Sequence, residues 1–349
     1  ARILNDKQKT KSYVGLSGNL GFIDNISQLV LADVVSKNQI IGAQAPGGTG
    51  AFHQLLLLIR SMEKDKRVWI SSPSWPNHAA ILNHLGIQFN NYNYFDYDTC
   101  EVNFSRMMSD LQKISSGDVL LLHGCCHNPT GADLNIDQWE QVAKLCKNNG
   151  IIPFIDLVYQ GLGKGIDEDV LGIRKLVKIV PEVIITISSS KTFGVYRDRC
   201  GLIAVITDSH NVKSDSLQTM LSEIARELYF HPPDHAAEII NILLRNEILK
   251  TEWLTEISSM QKRIVSLREK FSKSLQNKLQ TDYFSFLNVQ NGMFSILPIS
   301  EEGVITLRKE NGIYLMPDGR INLASLPENK IDFIASKICS LKEFENKRS

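Results

Sequence analysis

Short apolar runs alternate with longer segments of helical spacing in the N-terminal part of this chain. The apolar runs lie at residues 68–70, 119–122, 151–155, 183–187 and 202–206. Helical spacing follows some of them, at residues 79–85, 137–148 and 170–180. Strands that alternate with helices form parallel sheets that are covered on both faces. We therefore predict an α/β fold with a mostly parallel central sheet and a ligand site at the carboxyl ends of its strands.

A long amphipathic pattern marks the second half of the chain. Apolar residues recur every three or four positions through residues 247–278, which predicts one continuous helix. A helix of this length often connects two domains. We therefore expect a large α/β domain at residues 1–258 and a smaller α+β domain at 259–349. Strand-like segments at 292–299 and 313–316 would belong to the smaller domain.

The charge balance restricts the kind of partner. Lysine plus arginine and aspartate plus glutamate number 38 each, so the formal net charge is zero. Such a chain has no general attraction for nucleic acids or anionic membranes. No apolar stretch approaches the ~20 residues that span a bilayer. We expect a small-molecule partner, neither nucleic acid nor membrane, and free thiols for the six scattered cysteines in an intracellular, reducing compartment.

Residues 187–201 carry the most informative chemistry. Lys191 follows three serines, and Arg197 and Arg199 come shortly after it. A lysine at the end of a buried strand can be desolvated enough to present a neutral, nucleophilic amine. Hydroxyls and a guanidinium suit a phosphate dianion. A solvated turn is the plain alternative, but the combination meets the needs of pyridoxal phosphate, an amine for its aldehyde and donors for its phosphate.

Two other segments favour the same interpretation. Residues 46–50 form a glycine-rich turn before a helical stretch, where backbone N–H groups can face an anion, although such a turn is often an ordinary loop. Asp156 directly follows the apolar run 151–155. A carboxylate at the end of a buried strand needs a cation, and a pyridinium nitrogen is one. A helix cap is the alternative role for this aspartate.

His123, Cys125, Cys126 and His127 suggest a metal site at first sight. Adjacent residues of a strand point to opposite faces, so we expect that the four cannot converge on one ion. The chain has no second pair of ligands with Cys-x-x-Cys or His-x-x-x-His spacing. We predict no metal.

Besides the lysine segment, further segments resemble motifs of the aspartate aminotransferase family, the fold type I pyridoxal-phosphate aminotransferases. In chain order they are Gly47–Ala51, Pro73–His78, His123–Gly131, Asp156–Gly161 and Gly319–Ala324. The resemblance extends from about Tyr13 nearly to the C-terminus and implies the fold type I architecture. Family members carry an N-terminal arm before that point, which we expect to be absent here together with any targeting peptide.

The resemblance implies a role for each matching residue. Lys191 would bind the aldehyde of the cofactor and serve as the base, while Asp156 would pair with the ring nitrogen. Tyr159 and Asn128 would donate hydrogen bonds to the ring oxygen, and Trp75 would stack on the ring. Further contacts to the cofactor would come from Gly48, Thr49, Ser188, Ser190, Arg199 and, from the partner subunit of a homodimer, Tyr13. His78 would lie behind Trp75 and support it.

Two arginines would decide the substrate. Arg320 matches the family's clamp for the α-carboxylate, where Trp75 and Asn128 also contact the substrate. Arg226 matches more loosely the arginine that reaches across the dimer to a distal carboxylate, because His231 replaces the usual asparagine. We therefore predict that a homodimer with shared active sites transfers the amino group of aspartate or glutamate to a 2-oxo acid in a ping-pong sequence.

Three alternatives remain open at this point. An aromatic-amino-acid aminotransferase would use the same scaffold. A lyase or decarboxylase would use the same cofactor, and a catalytically silent binding protein would keep the fold alone. We predict the cytoplasm as the compartment, with an organelle left open because of the expected truncation.

Overall fold

The computed structural model describes residues 4, 6, 10, 12–62, 65–207 and 214–347. Its strands are β1 (Ile40–Pro46), β2 (Val68–Ser72), β3 (Phe89–Asn93), β4 (Phe95–Asp96), β5 (Glu101–Val102), β6 (Val119–His123), β7 (Ile152–Leu157), β8 (Val183–Ser188), β9 (Cys200–Ile206), β10 (Phe294–Ile296) and β11 (Arg320–Asn322).

The α-helices of these residues surround the strands. They are α1 (Leu20–Leu31), α2 (Gly47–Met62), α3 (Pro76–His84), α4 (Phe104–Leu111), α5 (Ile136–Asn149), α6 (Leu171–Val177), α7 (Ser189–Thr192), α8 (Ser214–Leu228), α9 (Asp234–Arg245), α10 (Glu247–Leu279), α11 (Phe286–Val289), α12 (Glu301–Asn311) and α13 (Ile331–Cys339).

Seven strands form one sheet in the order β1-β9-β8-β7-β6-β2-β3. Only β9 runs antiparallel to its neighbours, and the other pairs are parallel. The predicted mostly parallel α/β fold is therefore confirmed. Each of the five apolar runs of the sequence falls on one of its strands, β2, β6, β7, β8 or β9, except that Ile151 precedes β7.

Helices cover the sheet on both faces. Along β6, Leu120 and Leu122 belong to one hydrophobic cluster, while Val119 and Leu121 belong to a second cluster. All four side chains are buried. Because both faces are buried, the strand is apolar at its first four positions and does not alternate with polar residues before His123.

The long helix α10 begins and ends close to the predicted bounds. The Asn246 side chain accepts hydrogen bonds from the N–H groups of Ile248 and Leu249 at its start, and Gln280 adopts φ +55° after its last turn. Left-handed backbone at this position is a common end for a helix. Beyond α10, β10 and β11 form a small antiparallel pair that carries Arg320. The division into domains at residue 258 stays a prediction.

Two further observations concern the sequence predictions. All six cysteines are buried and unbridged. Among the described residues, no helix is both long enough and apolar enough to span a bilayer.

Candidate active site

One pocket, with a cavity volume of about 110 Å³, opens at the carboxyl ends of β6, β7 and β8. Every cofactor contact predicted from the sequence lines it, with the exception of Tyr13. The lining residues are Gly48, Thr49, Trp75, His123, Cys125, Asn128, Asp156, Val158, Tyr159, Ser188, Ser190, Lys191 and Arg199. Parallel sheets bind ligands at this end because the loops that follow the strands meet there.

Lys191 lies in the short helix α7, directly after β8. Its Nζ is 5.6 Å from the ring centroid of Tyr159 and 5.7 Å from that of Tyr196. Burial lowers the pKa of this amine; the Asp156 carboxylate opposes the shift and the Arg199 guanidinium adds to it. A larger fraction of the amine is therefore neutral, and nucleophilic, than in an exposed lysine.

The turn that carries Lys191 is held from behind by contacts that the sequence did not reveal. Thr192 Oγ1 donates to the Gln160 carbonyl at 2.9 Å, and Trp253 Nε1 donates to the Thr192 carbonyl at 3.0 Å. The Phe193 ring stacks on Trp253 with centroids 4.8 Å apart. Because Trp253 belongs to α10, the long helix fixes the position of the lysine turn.

Asp156 is buried, and both of its carboxylate oxygens have partners. Oδ1 accepts from Thr186 Oγ1 at 2.8 Å, and Oδ2 lies 3.0 Å from His78 Nε2. Burial by itself raises the pKa of Asp156, but the hydrogen bond and charge of His78, with contributions from His123 and Thr186, bring it below the ordinary value. Asp156 is thus an ionised carboxylate in a dry site, which suits a cationic partner.

A chain of hydrogen bonds continues behind His78. Ser74 Oγ lies 2.9 Å from His78 Nδ1 and 3.3 Å from His123 Nε2. His123 Nδ1 accepts from the Asn128 N–H at 3.3 Å. Burial, with a contribution from His78, lowers the pKa of His123 to about 3, so this ring is neutral and carries its proton on Nε2.

The direction of the chain then follows. His123 Nε2 donates to the Ser74 hydroxyl, Ser74 Oγ is in contact with His78 Nδ1, and His78 Nε2 donates its proton to the ionised Asp156 carboxylate. The Trp75 ring meets His78 edge-on, with centroids 5.2 Å apart. His78 therefore links Trp75 and Asp156. The contact with Trp75 was expected from the sequence, whereas the hydrogen bond to Asp156 was not.

An anion cradle lies at the opposite end of the pocket, where α2 begins. Gly47 has φ +74°, and a Cβ at this residue would lie 2.3 Å from Arg199 Nη2. A Cβ on Gly48 would lie 2.8 Å from Ser188 Cβ. Arg199 Nη1 donates to Ser190 Oγ at 3.4 Å. Helix N–H groups, hydroxyls and a guanidinium thus converge where only glycine allows the close approach, and this donor set fits a phosphate.

Arg320 reaches the edge of the pocket from β11. Its Nη1 donates to Asn128 Oδ1 at 3.0 Å, and Asn128 Nδ2 donates to the Tyr159 hydroxyl at 3.4 Å. The guanidinium carbon lies 5.4 Å from the ring centroid of Phe294. Burial, with the Asp156 charge, raises the pKa of the Tyr159 phenol. The three polar side chains form one row along the pocket, although they come from distant parts of the chain.

Arg226 and Tyr13 do not line the pocket of this chain. Arg226 is an exposed residue of α8. Tyr13 is 80% exposed, stacks on His231 with centroids 4.8 Å apart, and meets Phe230 edge-on. Both residues thus lie at the surface, where the sequence analysis expects a partner subunit, and their roles stay predictions.

Cys125 and Cys126, two of the four residues considered as metal ligands, lie close to Asp169. Sγ atoms of Cys125 and Cys126 and a carboxylate oxygen of Asp169 lie within 4.8 Å of one another. Both cysteines lie beyond the end of β6 at His123, and Cys126 has left-handed backbone, with φ +51°, so the alternation of side chains along a strand does not separate them. A hydrogen bond from Cys126 and burial raise the pKa of Cys125. Burial also raises the pKa of Cys126, against the hydrogen bond with Cys125, to about 11. Thiolates, the form that binds metals, are therefore disfavoured.

A half-buried lysine, an ionised buried carboxylate and a phosphate cradle around one pocket define the class of α/β enzymes that use pyridoxal phosphate. Known proteins allow a finer assignment. The family described as aminotransferase class I and II matches residues 1–338.

Individual proteins agree with this family. Tyrosine aminotransferase of Rhizobium meliloti is 39% identical over 336 residues, which cover 96% of this chain and 85% of that protein. Aspartate aminotransferase of Haemophilus influenzae is 37% identical, over 95% of this chain and 85% of that protein. The structure of aromatic-amino-acid aminotransferase from Burkholderia pseudomallei, covalently bound to pyridoxal phosphate, superposes with a TM-score of 0.93 at 33% identity and covers 97% of this chain and 86% of that one.

The chain belongs to the class I and II aminotransferase family. It is a pyridoxal-phosphate-dependent aminotransferase with the fold type I architecture.

Proposed function

We propose that this aminotransferase moves the amino group of aspartate or glutamate to a 2-oxo acid, with Lys191 at the reacting centre. The observation that carries the proposal is the contact of Arg320 with Asn128, at 3.0 Å, on the wall of the pocket that holds Lys191. A guanidinium that can hold a carboxylate thus contacts Asn128, which lines the same pocket as Lys191, and the pKa of the Lys191 amine is lowered.

Pyridoxal phosphate, when bound, supplies an aldehyde that accepts an amino group and a ring that draws electrons from the substrate's α carbon. The donors around Gly48 and Arg199 hold its phosphate in our proposal, helped by Thr49, Ser188 and Ser190. Asp156 keeps a proton on the ring nitrogen, because a buried carboxylate with pKa below its ordinary value favours a cation beside it. Tyr159 and Asn128 orient the ring through its oxygen, and Trp75 covers one face.

Lys191 takes the proton from the α carbon of the substrate in this proposal. Burial keeps a neutral amine available for the step. Arg320 binds the α-carboxylate through its planar fork, and Asn128 already accepts one of its N–H groups, which sets the guanidinium plane. The substrate is therefore held at the carboxylate while the proton moves.

The second carboxylate of aspartate or glutamate would be bound by Arg226 of the partner subunit. The exposure of Arg226 leaves it available for such a contact. Aromatic amino acids are the competing substrate class, and a specific observation favours them: the relative from Rhizobium meliloti, at 39% identity, is named a tyrosine aminotransferase, while the one named for aspartate is 37% identical.

The same proposal includes a homodimer with shared sites, a division into two domains at residue 258 and a cytoplasmic location. The surface position of Tyr13, with its ring exposed beside Phe230 and His231, supports the shared site.

One experiment tests the cofactor, the lysine and the substrate together. The absorption spectrum of the purified protein is recorded before and after addition of aspartate, glutamate or phenylalanine without an oxo acid. We expect aspartate to convert the aldehyde form of the cofactor to the amine form, and 2-oxoglutarate to reverse the change. Lys191→Ala should abolish conversion at assay rates. A higher kcat/KM for phenylalanine than for aspartate would instead select the aromatic class.

A further inference from the structure

A buried arginine that the proposed chemistry does not use lies in α10. Arg268 is 2% exposed, and none of the ion pairs within the described ranges involves it. Its five N–H groups instead make six hydrogen-bond contacts of 2.6–3.2 Å with one short segment of chain, and one N–H of Nη2 is shared between two carbonyls. The acceptors are the carbonyl oxygens of Leu287, Asn291, Gly292 and Phe294 and the hydroxyl of Ser295.

This segment touches the turn that carries Asn128. The Asn291 N–H donates to the Gly131 carbonyl at 2.7 Å, and Asn291 Nδ2 donates to Asp133 Oδ2 at 3.1 Å. Gly131 has φ +73°, and a Cβ there would lie 2.4 Å from the Phe294 carbonyl oxygen. The segment 287–295 therefore lies directly against the Asn128 turn, with no room for a side chain between them.

The same segment also contacts Arg320 and its strand. Phe294, whose carbonyl accepts from Arg268 at 2.6 Å, places its ring 5.4 Å from the Arg320 guanidinium carbon. The strand β10 that begins at Phe294 pairs with β11, so that Ile296 lies opposite Arg320. Arg268 thus fixes a backbone that has the Asn128 turn on one side and the Arg320 strand on the other.

The chemistry of the guanidinium explains why an arginine is needed here. Burying a charge without a carboxylate is costly unless dipoles surround it. Carbonyl oxygens that converge from several directions match the five N–H donors of a rigid fork, whereas the ammonium of a lysine offers three donors from a single point. Burial lowers the pKa of Arg268 to about 10, which still leaves it charged at neutral pH.

We propose that Arg268 is a positioning residue for the substrate: by holding residues 287–295, it sets the distance between Arg320 and Asn128 and so aligns the carboxylate clamp with the Lys191 amine. The inference rests on the proposed role of Arg320 as that clamp. A displacement of about 1 Å in such a contact can lower the rate by up to two orders of magnitude.

The test compares Arg268→Lys with Arg263→Lys, the same change on the same helix. Arg263 is exposed and donates a single hydrogen bond, at 2.9 Å, to the Ala324 carbonyl. The measurement is the Kd of the cofactor-loaded protein for succinate and for 3-phenylpropanoate, which carry a carboxylate and no amine. We expect Arg268→Lys to raise both Kd values by about 10-fold, while Arg263→Lys changes them by less than about 2-fold.

Two readouts separate positioning from a general loss of structure. KM for the amino acid should rise with little change in the affinity for pyridoxal phosphate, and backbone hydrogen exchange should increase in residues 287–295 more than in the central sheet. Arg320→Lys should raise the same Kd values, and adding Arg268→Lys to it should have little further effect, because Arg268 acts through Arg320.

The outcomes are distinct. If Arg320→Lys weakens the binding of the two analogues and Arg268→Lys does not, the inference about Arg268 is wrong and the proposed function stands. If Arg320→Lys has no effect, the clamp itself is wrong. If Arg268→Lys does not fold, Ser295→Ala, which removes one acceptor of Nη1, decides: a weaker shift in the same direction supports the proposal, and unchanged Kd values overturn it.

Discussion

His78 Nε2 lies 3.0 Å from Asp156 Oδ2, and both side chains are buried beneath the Lys191 pocket. Asp156 has a pKa below its ordinary value although burial alone would raise it, and His78 is the main reason. The pair therefore keeps a negative charge in a place that would otherwise favour the neutral acid. The charge of Asp156 depends on a residue outside the pocket.

His78→Ala should move the acid limb of the pH–rate profile upward. Without the His78 hydrogen bond, burial dominates and the pKa of Asp156 rises; a hydrogen bond to a charged group is worth about 1.5–3 kcal/mol, or one to two pH units. Because the lowered pKa of the wild type keeps Asp156 ionised to a lower pH, the variant should lose kcat first as the pH falls. If the acid limb of the kcat profile lies at the same pH in both proteins, His78 does not control the ionisation of Asp156.

The Lys191 amine should titrate below the ordinary lysine value of about 10.4. Burial lowers its pKa, Asp156 opposes the shift and Arg199 adds to it. The neutral fraction therefore rises with pH and levels off earlier than in an exposed lysine. Competitive acylation of the cofactor-free protein, followed by mass spectrometry at this residue, measures the midpoint.

Two variants test whether Asp156 and Arg199 shift the pKa of Lys191 in the expected directions. Asp156→Asn should shift the midpoint further down, since a charge that favours the ammonium is removed, and Arg199→Met should shift it up. Shifts in the opposite directions would show that these charges do not control the amine.

Gly47→Ala should weaken binding of pyridoxal phosphate. Gly47 has φ +74°, and its new Cβ would lie 2.3 Å from Arg199 Nη2, so the guanidinium must leave the cradle. Gly86→Ala is a matched control, with φ +65° and no atom within 4 Å of the new Cβ. Both variants should lose about 1–2 kcal/mol of stability through backbone strain, but only Gly47→Ala should raise the Kd of the cofactor. Equal Kd values for the two variants would show that the anion cradle does not bind the phosphate of the cofactor.

The sequence predicted most of the sheet but not its edges. The strands β6 to β9 are buried on both faces and appear as apolar runs. By contrast, β3 is an edge strand with the sequence Phe-Asn-Asn-Tyr-Asn, and β1 contains Gly42, Gln44 and Pro46. Residues of an edge strand need not be apolar, and no periodic pattern distinguishes them from a loop. Only the pairing in three dimensions reveals both strands.

A similar limit applies to the site. Motifs of consecutive residues indicated the lining of the pocket, since glycine turns and strand ends are local features. The link from Ser74 to His123 and the support of Thr192 by Trp253 join residues that are 49 and 61 positions apart. Such contacts depend on how elements pack, and one sequence contains no periodic signal for them.

Arg226→Ala should separate the two substrate classes. If Arg226 binds a distal carboxylate, its loss should lower kcat/KM for aspartate by about two orders of magnitude or more, because a charge-assisted bidentate contact is removed. Phenylalanine has no distal carboxylate, so its kcat/KM should change by less than about 3-fold. Glu227→Ala, at the exposed neighbouring position on α8, is a control for helix stability. An equal fall in kcat/KM for both substrates would show that Arg226 does not bind the distal carboxylate.

Mixing two variants that each have little activity on aspartate should restore that activity if the active site is shared between subunits. One variant is Lys191→Ala and the other is Arg226→Ala. In a mixed dimer, the site with an intact Lys191 receives the intact Arg226 of its partner and is of wild-type composition, while the second site lacks both. Refolding an equal mixture gives about half mixed dimers by random pairing, each with one complete site, so activity should approach a quarter of the wild-type value. If each chain supplied its own Arg226, every site would lack one of the two residues and the mixture would be no more active than its components. The sedimentation profile of the same mixture must show a dimer. A monomer with restored activity would contradict the shared site, and so would a dimer whose activity is not restored.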